Sequence, residues 1–288
     1  VTLQFGVDLS TSAAPGSDPV RDARRREELG FDFLTVSDHL HGTHPTYETW
    51  TLLTWAAAHT ERIGLLTNVL GLPYRPPAVV AKMAESLDRL SGGRLTLGLG
   101  AGGNNEEAEG FGLEVRSPGE KIEALGEAIE VIRGAWTEDY FTYRGRYYHT
   151  GGANIVPKPK RRIPVWVGAY GLRGLEMTGR LADGWSPSLP YLPLERAVEA
   201  GKIIRRAEAD AGREPGAVVF NYNMAIRIGG RARDDRTVAG TPEEIVERLR
   251  TFVEAGFISM SFWPIGDQDE QTARLATEIV PVLRAHTS

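Results

Sequence analysis

Leu29-Gly30-Phe31-Asp32-Phe33-Leu34-Thr35-Val36-Ser37-Asp38-His39 is the stretch that decides the fold. Leu29 closes an amphipathic segment, Gly30 is the residue type that ends a helix, and Phe33 to Val36 reads as a strand. That run stops abruptly at an acid and an imidazole. A strand that delivers a carboxylate and a histidine at its carboxyl end is building a site, because strand-helix alternating folds place their ligands there. Leu40-His41-Gly42-Thr43-His44-Pro45 is too rich in turn residues to extend the strand. Asp38 and His39 therefore stand at a strand-to-loop junction, where chemistry concentrates.

The same helix-glycine-strand unit recurs late in the chain as Ala255-Gly256-Phe257-Ile258-Ser259-Met260-Ser261. Between the two, short apolar runs alternate with longer amphipathic segments. The strands expected are Leu3–Val7, Phe33–Val36, Ile63–Asn68, Leu95–Leu99, Pro164–Val167, Asp183–Ser186, Val218–Ile228 and Ile258–Trp263. The helices expected are Pro19–Leu29, Tyr47–Thr60, Pro76–Leu90, Gly119–Trp136, Leu172–Leu181, Leu194–Ala211, Pro242–Ala255 and Gln268–Ala285. Thr241-Pro242-Glu243-Glu244 supplies an N-cap, a proline at the first helical position and acids in the first turn. Eight such units predict an α/β fold, a (β/α)8 TIM barrel in one domain over residues 1–288, with a doubly wound open sheet as the alternative. One excursion breaks the rhythm between the fourth helix and the fifth strand, from Glu138 to Arg162. It holds a hairpin-like run, Tyr140 to Tyr148, and a basic proline-spaced run, Pro157 to Pro164, and reads as a surface ribbon.

The chain has 288 residues, 41% of them hydrophobic, enough to bury a large core. A net charge of -5 argues against a nucleic-acid partner, and no apolar run approaches the length of a membrane span. Cys is absent, which excludes disulfides and cysteine chemistry. Val1 to Phe5 opens directly as a strand with no charged leader, so a cytoplasmic location is expected.

Four strand ends carry unusual residues: Ser37-Asp38-His39, Thr67-Asn68-Val69-Leu70, the glycine-rich Gly98 to Asn104, and Gly168-Ala169-Tyr170-Gly171. On a barrel they share one rim. Glycine at such positions lets a flat or phosphorylated ligand approach the backbone, and Gly168 to Gly171 precedes a helix whose free N–H groups suit a phosphate. Gly98 to Gly103 lacks the spacing of a dinucleotide fingerprint.

Taken in order, Ser37-Asp38-His39, Thr67-Asn68-Val69-Leu70 with Tyr74-Arg75-Pro76, Leu87 to Arg94 with Leu97 to Gly102, Phe111-Gly112 and Leu181-Ala182-Asp183-Gly184-Trp185 resemble the luciferase-like monooxygenase superfamily. More narrowly they resemble its coenzyme F420-dependent oxidoreductase branch. The resemblance covers nearly the whole chain and implies a barrel that binds a deazaflavin at its carboxyl rim. It implies that His39 is catalytic and handles a proton, with Asp38 orienting the imidazole or bonding the cofactor. It implies a cis Asn68–Val69 peptide against the ring, with Ala101, Gly102, Asn104 and Asn105 along the cofactor. Gly168, Ala169, Tyr170 and Gly171 would bind its phosphate. The acidic tail of F420 would draw on Arg75, Lys158, Lys160, Arg161 or Arg162. Sugar-phosphate dehydrogenase members carry a glutamate where this chain has Gly103, which points to a reductase; Glu106 and Glu107 read as helix-capping acids.

FMN is the alternative cofactor, with monooxygenation by O₂ as its chemistry. A metal-dependent amidohydrolase, suggested by His39, His41 and His44, lacks histidines at later strand ends, so no metal is expected. A non-catalytic binding protein would not be expected to keep the acid-histidine pair. The partners expected are a small-molecule substrate and a second copy of the chain in a homodimer. Trp50, Tyr74, Tyr170, Trp185, Phe262 and Trp263 suggest an apolar pocket or core positions.

Overall fold

The strands β1 (Gln4–Asp8), β2 (Phe33–Val36), β3 (Gly64–Thr67), β4 (Leu95–Gly100), β5 (Val165–Gly168), β6 (Gly184–Trp185), β7 (Val219–Ile228) and β8 (Ser259–Pro264) pair in sequence order, all parallel. β8 returns to β1, so the sheet closes as the expected (β/α)8 barrel. This is a computed structural model that describes residues 2–40, 42–230 and 236–286. The helices α1 (Pro19–Glu28), α2 (Thr49–Ala58), α3 (Pro77–Leu90), α4 (Pro118–Thr137), α5 (Leu172–Leu181), α6 (Leu194–Asp210) and α7 (Pro242–Glu254) link successive strands. The echo noted in the sequence has a common geometry. Gly30 (φ 80°) and Gly256 (φ 91°) are left-handed, and the next N–H, of Phe31 or Phe257, reaches back to the carbonyl of Arg26 or Phe252. Only glycine takes that backbone at little cost, and the chain is turned from helix into strand.

Side-chain alternation sorts each strand into two faces. Phe33 on β2 and Trp166 on β5 meet edge to face with centroids 6.2 Å apart although their strands are not neighbours, so both point into the barrel. Leu66 and Val219 complete this apolar plug. Phe5 and Phe262, of opposite parity, stack outside the barrel at 6.2 Å in the main core beneath the helices. Higher in the interior, the side chains become polar: Asn68, Ser186, Asn221, Asn223 and Ser261 hydrogen-bond one another. The plug thus closes the barrel's amino half, and the polar layer floors a mouth at the carboxyl end.

The amino end is a stability face. Arg94 donates to the carbonyls of Ala57, Thr60, Ile63 and Ser91, and Asp88 accepts from Leu95 N–H and Arg161. Part of the Leu87 to Arg94 motif therefore knits helix ends to strand starts, far from the ligand rim.

The hairpin of the excursion pairs Phe141–Arg144 with His149–Ala153, later than Tyr140 to Tyr148 because Gly145 to Tyr148 form the turn. It folds back on its preceding helix: Glu127 accepts the N–H groups of Arg146, Tyr147 and Tyr148, and Tyr143 and Tyr147 donate to Glu130 and Glu123. The last helix is not continuous. A π turn, Leu275–Ile279, separates Gln268–Arg274 from Val280–His286, where Pro281 has no N–H to give and crowds the preceding turn. A further strand, Thr237–Gly240, pairs with β7 outside the closed ring.

Replacing Arg94 by Ala strips charged donors from several buried carbonyls. We expect a loss of about 2–4 kcal/mol in urea unfolding, with the slope of the transition unchanged.

Candidate active site

Asp38 and His39 follow β2 as neighbours but meet different partners. The Asp38 side chain has 0% exposure and accepts from Gly71 N–H (2.7 Å) and from Arg75 (2.8 and 3.2 Å). It is closed off from the imidazole, so the expected orienting contact between Asp38 and His39 is corrected. The His39 side chain stands out at the rim, 67% exposed, and its Nδ1 lies 3.3 Å from Glu107 Oε2. His41 lies outside the described residues.

Glu107 is the buried partner of His39 that the sequence reading missed. It lies on the short helix Asn105–Gly110, where it was expected to serve as a capping acid. Asn104 performs the capping instead, its Oδ1 accepting from Glu107 N–H at 3.2 Å. The Glu107 carboxylate is fully buried and receives Leu40 N–H, the Tyr74 hydroxyl and the face of His39 Nδ1. Burial, followed by this acid, pushes the Tyr74 phenol well above its usual range. The signal available in the sequence was the register Asn104-Asn105-Glu106-Glu107: once Asn104 caps the helix, Glu107 sits one turn in, on the face that packs inward.

After β3, the strand next to β2, the Asn68–Val69 peptide is cis, as the sequence reading anticipated. Asn68 is tied into the polar layer, donating to Asn223 at 2.7 Å and accepting from Ser186 at 3.1 Å. Val69 projects over β4 and β5, where a Cβ on Gly100 would lie 2.6 Å from its Cγ2 and one on Gly168 would lie 3.5 Å away. Glycine at position 100 thus serves the valine bulge rather than the approach of a ligand. Helix α5 begins at Gly171 with no side-chain cap, and a Cβ at Gly171 would meet nothing within 4 Å. This leaves backbone donors and open space at the rim. Tyr170 is half exposed beside Tyr191. Ala169 faces the other way: its side chain is buried and its carbonyl accepts Trp185 Nε1–H at 2.9 Å.

Ala101, Gly102, Asn104 and Asn105 line a cavity of about 320 Å³ together with Tyr74 and Arg116. Lys121 pins this loop by donating to Gly102 O (2.7 Å) and Asn105 Oδ1 (2.6 Å). The cations expected for an acidic tail are mostly committed elsewhere. Arg75 serves Asp38 and Glu48, Lys158 bonds main-chain carbonyls, Arg161 bonds Asp88, and Arg162 bonds Asp183. Asp88 and Asp183 lie at the amino ends of strands, which takes Arg161 and Arg162 away from the rim. Among the suggested aromatics, Trp50, Trp185 and Phe262 are core. Among the described residues no group of three or more His, Asp or Glu side chains is arranged to hold a metal ion.

A second acid was also missed. Asp8 ends β1 with Gly6 two residues before it, and a Cβ on Gly6 would run into the Phe33 ring at 2.1 Å. Gly6 therefore faces inward, and so does Asp8. Burial pushes its carboxyl up to about 7, with the positive charge of Arg26 pulling the other way.

A family model described as luciferase-like monooxygenase matches residues 1–229. The chain belongs to the luciferase-like monooxygenase family. It is 34% identical to an F420-dependent glucose-6-phosphate dehydrogenase of Amycolatopsis mediterranei, over 98% of this chain and 99% of that one. It is 28% identical to the protein of the same description from Microbacterium testaceum, over 99% and 98% of the two chains. Its fold matches that of an F420-dependent secondary alcohol dehydrogenase in complex with an F420-acetone adduct, with a TM-score of 0.87 at 19% identity over 98% and 99% of the chains. Within this oxidoreductase family no helix among the described residues is long and apolar enough to cross a membrane.

Two outcomes follow from these acids. Glu107→Ala should cost about 2–4 kcal/mol in chemical denaturation, since it orphans buried donors. Glu107→Gln, which keeps an acceptor, should cost less. For Asp8 the folded carboxyl holds its proton between about pH 4 and 7 while the unfolded chain has already ionised. Its contribution is therefore best below that window and is lost as pH rises through 7. Asp8→Asn should raise the melting temperature by several degrees at pH 8, with the gain shrinking as pH falls toward 4.

Proposed function

We propose that this chain is an F420-dependent oxidoreductase that transfers a hydride between the deazaflavin and a small organic substrate, acting as a reductase rather than a sugar-phosphate dehydrogenase. The observation that carries the reading is the pairing of rim-exposed His39, after β2, with buried Glu107, at the same end of the barrel as the Val69 bulge after β3 and the uncapped start of α5. The described relatives support the cofactor.

The residues present fit such a group. Val69 supplies a flat apolar support for a ring, and the open Gly171 backbone at the head of α5 suits a phosphate. Gly168 and Tyr170 would flank that phosphate. Ala101 and Gly102 would run beside the ring's edge, with Asn104 and Asn105 shaping their loop. Bound deazaflavin would supply hydride chemistry at carbon five, the position that in a flavin is nitrogen.

The chain's own part is the proton. His39 Nδ1 is engaged by Glu107, which orients the exposed ring and leaves Nε2 to give or take a proton. Glu107 is a positioning residue in this scheme, and Asp38 anchors the loop that bears Gly71 and Arg75. Gly103 has no side chain to offer where sugar-phosphate dehydrogenase members carry a glutamate, and this favours reduction of another substrate class. FMN is the second reading, favoured by the family's description as monooxygenases.

Fluorescence quenching should show F420 bound at least tenfold more tightly than FMN; micromolar FMN binding with no response to F420 would reverse the assignment. His39→Ala should bind F420 as the parent does and lose roughly 10²-fold or more in kcat, and an unchanged kcat would remove His39 from the chemistry.

A further inference from the structure

The cavity of about 320 Å³ at Tyr74 and Arg116 adjoins the proposed cofactor site and shares with it only Ala101, Gly102, Asn104 and Asn105. Its wall comes from the loops after β3 and β4, the run before α4, the first turns of α4 and Tyr148 of the hairpin. No residue of β1, β2 or β5 to β8 takes part, and neither do His39, Val69 or Gly171. Tyr74 lines the cavity, and its hydroxyl donates to Glu107, which meets His39 Nδ1. One side chain therefore separates the cavity from the acid that holds the imidazole.

Most of the wall is apolar, from Leu72, Pro73, Ala108, Leu113, Val115 and Ala124. Three cations break it. Arg75 is taken up by Asp38 and Glu48, but the other two each have a donor left over. Lys121 spends its ammonium on neutral partners, Gly102 O (2.7 Å) and Asn105 Oδ1 (2.6 Å), and forms no ion pair among the described residues. An ammonium has three N–H groups, so one remains. Burial pushes it below its usual range, and no acid stands near enough to push it back. Arg116 is held between rings, its guanidinium 5.0 and 5.2 Å from those of Tyr147 and Tyr148, and it donates to the Tyr148 hydroxyl at 3.1 Å and to Glu114 at 3.0 Å. Its Nε is buried with no partner, and of the buried side-chain atoms in that condition among the described residues it alone belongs to this wall. Buried polar groups are normally paired, so charged donors left over beside an apolar wall call for an acceptor from outside the chain.

We propose that this cavity binds a small amphipathic carboxylate, its head taken by Lys121 and Arg116 and its hydrocarbon body by the apolar wall. Such a site goes beyond the oxidoreductase reading and does not depend on it. Both unspent groups are cationic donors, which suit an anion. Two N–H groups match the two oxygens of a carboxylate, whereas a phosphate would press further oxygens against side chains that cannot bond them. The wall's own acid, Glu114, is 73% exposed and meets Arg116 through Nη2, so it leaves Nε unanswered. A volume of about 320 Å³ lies at the small end of ligand pockets, which limits the body to a short chain or a single ring.

Octanoate is the probe, followed by calorimetry and saturation-transfer NMR on the full chain at pH 7. It should bind saturably and at least tenfold more tightly than octanol, which has the same chain length without the charge. Arg116→Gln and Lys121→Gln should each weaken octanoate at least fivefold and leave octanol within twofold, while Leu113→Trp, which fills the cavity from a loop, should abolish both. No saturable octanoate binding, octanol binding as tight as octanoate, or an octanoate affinity unchanged in Arg116→Gln overturns the proposal. The first two are read on the parent and so hold even where a substitution fails to fold. Inorganic phosphate that displaces octanoate at equal concentration would make this a general anion site and defeat the carboxylate assignment. Saturating F420 should leave octanoate affinity within threefold; displacement would return the cavity to the cofactor and sink the separate site. A parent that ignores F420 while the octanoate results hold would instead defeat the cofactor reading alone.

Discussion

The carboxylate of Glu107 is the contact on which the rest of the rim depends. It is fully buried, and its partners come from separate loops: Leu40 and His39 after β2, and Tyr74 after β3, with the glutamate itself after β4. A buried carboxylate is costly unless donors surround it, so the energy that would be lost by opening any of these loops keeps them together. Asp38 does the same one residue away, drawing Gly71 and Arg75 under the mouth, and Arg75 in turn reaches Glu48. The two acids are therefore neighbours through Tyr74-Arg75. What they hold in place is an imidazole that is itself exposed.

The barrel was legible in the sequence because its signals are local. Apolar runs of strand length, helix stops at Gly30 and Gly256, and the cap at Thr241 each act within a few residues, and the structure realises them as strands, left-handed glycines and a capping box. The rim positions were legible for the same reason, since a strand end is visible from its own residues. The partners of those residues were not. Asp38 and His39 are adjacent in sequence, which suggested that they act on one another, yet Asp38 bonds Gly71 and Arg75 while His39 meets another acid. The contact that His39 does make is to Glu107, 68 positions away, and no spacing rule within one sequence reports a distance of that kind.

Glycine was a second source of misreading. A glycine-rich strand end suggests room for a ligand, but the room at Gly100 is filled from within the protein by Val69, whereas the room at Gly171 is open. The residue type shows that something approaches the backbone; whether that is a side chain or a ligand depends on the neighbouring strand. Charge misled in a comparable way. Arg161 and Arg162 stand out in the sequence as a basic run, but they serve acids at the amino ends of strands, where the barrel is knitted together and no ligand is received.

Asp8, Asp38 and Glu107 share one chemical type and differ in what surrounds them. Asp38 and Glu107 are each met by several donors and so fix backbone and side chains in place. Asp8 is part-buried with no protein donor to its carboxyl among the described residues, and a carboxyl desolvated in that way lowers its free energy by keeping its proton rather than by finding a partner. Reversing the first arrangement would defeat the rim, because an unpaired acid at position 107 would leave the imidazole unoriented. Counting donors therefore separates the two acids that hold the rim together from Asp8, whose carboxyl the fold leaves without one.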